Sequence, residues 1–244
     1  MAVAGPMRSP PTVGAMTTNT TVAPTTTSTL TLTLVRHGRT YLNQRRLLQG
    51  WSNSPLTRDG LEGVRTTARH LAPRPFVAAY SSPSGRAVTT AVEILRHHDG
   101  VRLRTDAGLR EYHFGHYERR HESVLDEVIA WPELVGEIIS GRHPGLPGGE
   151  DAATFVGRLR GAMERIVAAQ ADGGEVLVVG HGLALGVWLA TVGDGVLVPL
   201  PNASVSRVSV TANGVRVDEV ALDVAGQGVL GARPATELAV AATA

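Results

Sequence analysis

Two histidines occupy equivalent places in the sequence, each directly after an apolar run that is typical of a buried strand. His37 follows the run 30–35, and His181 follows the run 176–179. A glycine comes after each histidine, and Arg36 comes before the first. A neutral imidazole is a nucleophile, and a guanidinium matches the oxygens of a phosphate group. The pattern therefore predicts attack of His37 on phosphorus with Arg36 binding the phosphate, although a satisfied structural pair is an alternative for so short a motif.

Strand and helix patterns alternate along the chain, and they must position these residues. Ligands of open α/β sheets bind beyond the carboxyl ends of the strands, where both histidines are expected. The alternation predicts a three-layer α/β/α sandwich with a mostly parallel central sheet. The predicted elements are a strand over 30–34, a helix around 61–71, a strand over 76–80, a helix over 87–95, a helix over 155–166, a strand over 176–179, a helix from about 183, and two strands over 205–210 and 215–220 that flank a turn at Asn213 and Gly214.

Further blocks extend the pattern in order along residues 30–211. They are Leu34 to Asn43 with Gln49, Gly50 and Pro55 to Gly60; Ser81, Ser82, Arg86, Ala87, Thr90 and Ala91; Leu109 to Glu111 with Phe114, Gly115 and Glu118; Pro147 to Glu150; and Gly180 to Gly182. Together they closely resemble the signature of the histidine phosphatase superfamily, which includes phosphoglycerate mutases and many phosphatases. The resemblance implies the phosphoglycerate mutase-like form of the α/β/α fold.

The resemblance also implies a role for each matching residue. His37 attacks phosphorus and becomes a phosphohistidine, and Glu111 protonates the departing alkoxide before serving as base for the water that cleaves the intermediate. No metal or cofactor is implied, because arginine and histidine side chains supply the positive charge. The residues implied to hold the phosphate oxygens are Arg36, Asn43, Arg86, His181 and Gly182, with His181 acting either as a cation or as a hydrogen-bond donor.

The implied activity is hydrolysis of a small phosphate monoester, with two alternatives. The compact segment between Glu111 and His181 resembles the phosphatases rather than the mutases, which carry an insertion there. Transfer of the phosphoryl group to a second alcohol, as in a phosphoglycerate mutase, is the first alternative. A noncatalytic protein that binds phosphorylated ligands is the second, although such a protein would typically lack His37, an arginine or Glu111.

Some of these residues also allow simpler interpretations. Asn43 could only cap a turn, and Glu111 could be a surface charge on a loop. The loop residues Gly148 and Gly149 are expected to turn the chain, and Glu150 and Asp151 are expected to favour the following helix start. Three nearby histidines suggest a metal site, but no second ligand group has a recognisable spacing, so we expect histidines at the surface or the pocket rim. These histidines are His113, His116 and His121.

Composition excludes several classes of function. The 244 residues include no cysteine, which rules out disulfides, thiolate metal sites and cysteine nucleophiles. A net charge of +1 predicts no nucleic-acid partner. No apolar run is long enough to span a membrane, and the N-terminal residues lack the pattern of a secretory signal, so we expect a cytoplasmic protein without a membrane partner. The expected partner is a small phosphorylated metabolite, and the sequence carries no signal for the oligomeric state.

The ends of the chain differ in composition from its middle. Residues 1–29 are rich in Thr, Pro and Ala and have little apolar surface to bury, which predicts a disordered tail. Residues 30–224 are expected to form one catalytic domain. Residues 225–244 are predicted to be a loose tail with a short helix over 236–242.

Overall fold

A six-stranded sheet lies between two layers of helices in the computed structural model, which describes Met1 and residues 29–229. This confirms the predicted three-layer α/β/α architecture with a mostly parallel sheet. The elements are β1 (Leu30–Arg36), α1 (Tyr41–Gln44), α2 (Arg58–Leu71), β2 (Phe76–Ser81), α3 (Gly85–Leu95), β3 (Leu103–Thr105), α4 (Trp131–Ile139), α5 (Ala152–Ala168), β4 (Gly174–Gly180), α6 (Gly182–Val192), β5 (Val205–Thr211) and β6 (Gly214–Leu222), with short 3₁₀ helices at Ala107–Leu109, Gly115–Tyr117 and Glu122–Glu127.

The order of the strands brings the two histidines together. The sheet runs β3-β2-β4-β1-β5-β6, with β1 to β4 parallel and β5 and β6 antiparallel to their neighbours. β1 pairs directly with β4, and Arg36 lies opposite Gly180. Since parallel strands end at the same edge of a sheet, His37 and His181 emerge side by side, and the His37 N–H donates to the Gly180 carbonyl at 3.0 Å.

The central strands are apolar throughout because helices cover both faces of the sheet. Leu34 and Val178 belong to the hydrophobic core formed with α4, α5 and α6, whereas Val35 and Val179 belong to the core formed with α2 and α3. Successive residues of a strand point to opposite faces, so each strand contributes to both cores. This packing fixes the direction in which the strand-end residues leave the sheet.

The structure adds elements that the sequence patterns do not predict, namely α1, β3, α4 and the three 3₁₀ helices. β3 has only three residues and pairs only with β2, so its apolar alternation is too short to recognise. α4 buries Leu134, Val135 and Ile138, but its nine residues follow an irregular segment that hides the helical period. The predicted hairpin at Asn213 and Gly214 is confirmed by the pairing of β5 with β6.

Residues 223–229 return to the start of α2, beside the loop that carries His37. Arg39 Nη2 donates to the Gln227 carbonyl, and Gln227 Nε2 donates to the Asp59 carbonyl at 2.9 Å. The Asp223 carboxylate accepts from the Gln227 N–H at 3.1 Å. These contacts hold the first part of the segment that the sequence predicted to be loose.

Three further expectations reach residues outside those described. They concern 2–28 of the predicted disordered tail, the remainder of the C-terminal tail, and the helix over 236–242. In the part of the chain that the structure describes, no helix is both long and apolar enough to cross a membrane.

Gly60 allows α2 to approach the loop that follows His37, and its replacement should therefore be destabilising. A Cβ at this position would lie 2.1 Å from the Arg39 carbonyl oxygen. We expect Gly60→Ala to lower the free energy of unfolding by about 1–3 kcal/mol, because the backbone must shift. Gly157→Ala in α5 is the control: no atom lies within 4 Å of the added Cβ, and a gain of about 0.5–1 kcal/mol is expected. Urea unfolding measures both, and equal or greater stability of Gly60→Ala would contradict the packing argument.

Candidate active site

His37 is held as a neutral imidazole with one ring nitrogen available as a nucleophile. Its Nδ1 lies 2.8 Å from the Gly38 carbonyl oxygen, so Nδ1 carries the proton and donates it to that oxygen. Its Nε2 therefore carries the lone pair, which accepts from Arg86 Nε at 3.2 Å. Burial, followed by the positive charges of Arg86 and Arg36, lowers the pKa of His37 well below its ordinary value.

The loop that carries His37 is fixed from two sides. The Gly38 N–H donates to Thr90 Oγ1 of α3 at 3.0 Å, and Asn202 Nδ2 donates to the His37 carbonyl at 3.1 Å. A Cβ at Gly38 would lie 2.5 Å from Val64 Cγ2, so only glycine lets the loop pack against α2. Asn202 precedes β5 and has no sequence signal for this role, because the contact depends on the pairing of β1 with β5.

Arg86 lies behind His37 and is 1% exposed. Its guanidinium donates to the carbonyl oxygens of Gln49 at 3.2 Å, Gly50 at 2.8 Å and Ser52 at 2.9 Å. Burial lowers the pKa of Arg86 to about 10, which leaves the side chain charged at neutral pH. The loop at 49–52 therefore fixes a cation next to His37.

Glu118 in turn holds that loop. Its carboxylate accepts from the backbone N–H of Trp51 at 2.7 Å and of Ser52 at 2.6 Å. The residue was part of the family signature, but the sequence does not show that it acts on Arg86 through the loop. Glu118 is thus a positioning residue.

Arg36 is the second buried cation of the site. Its Nη1 donates to the Leu200 carbonyl, whereas its buried Nε has no protein partner. Burial lowers its pKa to about 10, so it also stays charged at neutral pH. A Cβ at Gly182 would lie 3.2 Å from Arg36 Cζ, which explains the need for glycine at the start of α6. Buried donors normally find a partner, so the Nε atom is available to an anionic ligand.

Glu111 is a buried carboxyl group at the start of α6, which excludes the interpretation as a surface charge. Its carboxylate accepts from the N–H groups of Leu183, Ala184 and Tyr112, each at 2.9 Å. Burial raises its pKa above the ordinary 4.5, and these N–H groups and the charge of Arg86 partly oppose the shift. The group therefore keeps a proton at higher pH than an exposed glutamate does.

The backbone around Glu111 is held by Arg158 of α5, which the sequence analysis did not single out. Arg158 donates to the carbonyls of Gly108 at 2.9 Å, Arg110 at 2.7 Å and Glu111 at 2.9 Å. It also pairs with Glu150 through a 2.8 Å bond from Nε. The expectation that Glu150 and Asp151 favour the helix start is confirmed for Asp151, whose side chain caps α5, whereas the Glu150 carboxylate binds Arg158.

His181 lies fully buried against His37, with ring centroids 5.2 Å apart. Its Nε2 is 2.8 Å from Ser82 Oγ, and its buried Nδ1 has no protein partner. Burial, then the charge of Arg86, lowers its pKa well below the ordinary value. Of the two states considered from the sequence, the neutral hydrogen-bond donor fits this environment and the cation does not.

Asn43 caps α1, as one of its two predicted interpretations has it, and its contact with phosphate stays a prediction. Its Oδ1 accepts from the Thr40 N–H at 3.2 Å and from Asn202 Nδ2 at 3.3 Å, which caps α1. Its side chain also lines a cavity of about 270 Å³. The cap uses the amide oxygen, so Nδ2 is the group that can donate to a phosphate.

The residues at the inner end of this cavity are Arg36, His37, Asn43, Gln49, Glu111 and Gly182, with Arg86 and His181 one layer deeper.

The three histidines near Glu111 have other contacts. The His113 ring stacks on Trp51 with centroids 4.8 Å apart, and His121 Nδ1 accepts from the Ser123 N–H at 3.3 Å. His116 packs beside Gly148, where an added Cβ would lie 2.6 Å from its Nε2. Within the described ranges, no group of three or more His, Cys, Asp or Glu residues could hold a metal ion.

A family model supports the same assignment as this geometry. The model, described as the histidine phosphatase superfamily (branch 1), matches residues 32–223. The chain belongs to this superfamily. The match covers β1 from Leu32 onward, the other five strands and every residue of the site described above.

Relatives within the histidine phosphatase superfamily have different names. The chain is 34% identical over 161 residues to a protein of Serratia proteamaculans named probable phosphoglycerate mutase GpmB, covering 65% of this chain and 73% of the relative. A crystal structure of phosphoglycerate mutase from Bacillus anthracis has a TM-score of 0.70 and 26% identity, covering 82% of this chain and 96% of that one. A mycobacterial glucosyl-3-phosphoglycerate phosphatase has a TM-score of 0.69 and 24% identity, covering 79% and 99%, and shows likeness of fold.

The lowered pKa values of His37 and His181 should make the protein less stable in mild acid. Below pH 6.5, the ordinary value, both histidines bind protons in the unfolded chain that they do not bind in the folded one. The free energy of unfolding therefore falls as the pH drops. We expect His37→Gln to reduce this slope by up to about 1.4 kcal/mol per pH unit.

Urea unfolding over a series of pH values measures the slope. Gly157→Ala, which changes no ionisable group, is the control and should keep the wild-type slope. An unchanged slope in His37→Gln would show that His37 does not resist protonation in the folded protein.

Proposed function

We propose that this chain is a metal-independent phosphatase that hydrolyses small phosphate monoesters through a phosphohistidine on His37. The observation that carries the proposal is the state of His37: a buried neutral ring whose Nε2 lone pair faces a guanidinium. A nucleophile beside fixed positive charge suits attack on a phosphoryl group, whose transfer depends mainly on positioning and charge stabilisation. The buried carboxyl of Glu111 supplies the acid that such a reaction needs.

In the first step, Nε2 of His37 forms a bond to phosphorus, and the bond from phosphorus to the ester oxygen breaks. Glu111 gives its proton to that oxygen, so the alcohol leaves neutral. Arg36 and Arg86 stabilise the charge on the equatorial oxygens, and His181 and Asn43 donate hydrogen bonds to them. The raised pKa of Glu111 supports this role, because the carboxyl group must hold a proton when the substrate binds.

In the second step, water attacks the phosphohistidine. The ionised Glu111 takes a proton from the water, the bond from phosphorus to Nε2 breaks, and inorganic phosphate leaves. The neutral His37 and the protonated Glu111 are restored, so one carboxyl group serves both steps. The burial of Glu111 against the N–H groups of α6 supports both states, since these groups stabilise the carboxylate once it forms.

Mutase activity is the alternative, and the names of the curated relatives favour it. A mutase passes the phosphoryl group from His37 to a second hydroxyl of a bound acceptor instead of to water. The compact segment between Glu111 and His181 supports hydrolysis instead. The acceptor therefore separates the two functions experimentally.

Phosphate release from 4-nitrophenyl phosphate in the presence of a chelator tests the proposal directly. We expect wild-type activity, with acid-labile phosphate trapped on the protein, and loss of both in His37→Ala because the nucleophile is gone. His70→Ala, which removes an exposed histidine at the end of α2, is the control and should remain active. Isomerisation of phosphoglycerate without phosphate release would support the mutase, and ligand binding without either reaction would support a binding protein.

Glu111→Gln tests the role of the proton donor through the leaving group. For an alkyl phosphate, we expect kcat/KM to fall by about 10²–10⁴-fold, because the alkoxide needs a proton to depart. The fall should be much smaller for 4-nitrophenyl phosphate, whose phenolate leaves without protonation. Glu118→Gln is the matched control: it displaces Arg86 and should slow both esters alike. Equal losses of kcat/KM for the two esters in Glu111→Gln would contradict the proton-donor role of Glu111.

A further inference from the structure

The cavity that begins at His37 changes character beyond the phosphate-binding groups. Its outer part runs between the 3₁₀ helix Glu122–Glu127, the start of α4 and the loop before β5. Apolar side chains dominate this part, and an aromatic ring is among them. They include Leu47, Leu125, Trp131, Pro132, Leu197 and Pro199.

The charged groups of the outer wall do not favour a second anion. Among the described residues that line this part, Arg46 is the single base, and Glu122 and Asp126 are acids. Arg46 already donates to Glu122 through Nε at 2.8 Å and through Nη2. To pair with Arg46, a carboxylate or second phosphate on the leaving group would have to displace Glu122. It would also share this wall of the cavity with Asp126.

The two other arginines near the cavity, Arg36 and Arg86, lie at its inner end beside His37. The side chain of Arg36, at the end of β1, packs against Gly182 at the start of α6, and Arg86 is enclosed by the loop at 49–52. The cavity volume of about 270 Å³ is near the lower end of the range for small-molecule sites, which is about 300–1,000 Å³. The site can therefore enclose a phosphate group and one compact organic group.

We propose that the alcohol part of the substrate is uncharged and apolar, about the size of one aromatic ring. Esters that carry a second phosphate or a carboxylate, including phosphoglycerates, are then poor ligands, because their extra charge would lie against apolar and acidic walls. This inference rests on the proposed function in one respect, namely that the cavity receives the leaving group of a phosphate ester. It names the class of ester and disfavours the mutase substrate.

Binding of two phosphonates that the enzyme cannot hydrolyse tests this specificity without relying on turnover. Titration calorimetry compares benzylphosphonate with 4-carboxybenzylphosphonate, which differ only in the carboxylate. We expect the uncharged-ring compound to bind at least about tenfold more tightly, because the carboxylate loses water without gaining a free cation. Equal or tighter binding of the carboxylated compound overturns the inference.

Two variants locate the cause of the preference. Glu122→Gln releases Arg46, and Leu197→Lys adds a cation on a surface loop, so each should improve binding of the carboxylated compound relative to the other. Glu62→Gln, which removes an exposed carboxylate that pairs with Arg65 and Arg69 on α2, is the control and should keep the wild-type ratio. An unchanged ratio in both cavity variants contradicts the charge argument.

Hydrolysis of phenyl phosphate, measured separately, distinguishes the two proposals. Absence of phosphate release with a retained binding preference would reject the proposed phosphatase activity and leave the specificity inference standing. Release from phenyl phosphate together with equal binding of the two phosphonates would support the phosphatase activity and reject the specificity inference.

Discussion

The buried positive charge around His37 is the constraint on which the rest of the site depends. Removing a charged group from water is costly unless other polar groups replace the water. Arg86 meets this condition through the carbonyl oxygens of the loop at 49–52, and Glu118 holds that loop by its backbone N–H groups. The pKa of Arg86 falls only to about 10, so the guanidinium remains charged at neutral pH. Much of the local structure therefore serves to keep a cation in a place that water does not reach.

The same burial assigns opposite protonation states to the two reacting groups. It lowers the pKa of His37 and raises that of Glu111, because in each case the uncharged form is favoured away from water. Burial thus favours the neutral imidazole of His37 and the neutral carboxyl group of Glu111 within one site. Nearby cations strengthen the first shift, whereas the N–H groups of α6 limit the second. A nucleophile and an acid can thus coexist within one buried site.

The superfamily includes proteins named as mutases and as phosphatases, and the inner end of the cavity does not distinguish them. In the proposed mechanism its cations and its histidines contact the phosphoryl group, which is common to both reactions. The differences lie further out, where the wall is apolar and Arg46 is paired with Glu122. The proposed specificity therefore depends on the segment between Glu118 and α4 and on the loop before β5, rather than on the strand ends.

The sequence by itself determined the α/β alternation, the two strand-end histidines and the arginines that accompany them. These features are local, since each depends on the apolar period of one segment and on the residues next to it. Only the tertiary structure decided that Arg158 holds the backbone of Glu111, that Asn202 holds the His37 loop, and that Glu150 pairs with Arg158. The first two contacts join segments far apart in the chain, and no local sequence pattern predicts them. The third joins residues only eight apart, but it depends on how α5 packs against the loop that carries Glu111. The shifted pKa values of His37 and Glu111 likewise depend on the tertiary structure, because these groups become buried only when the layers of the fold pack together.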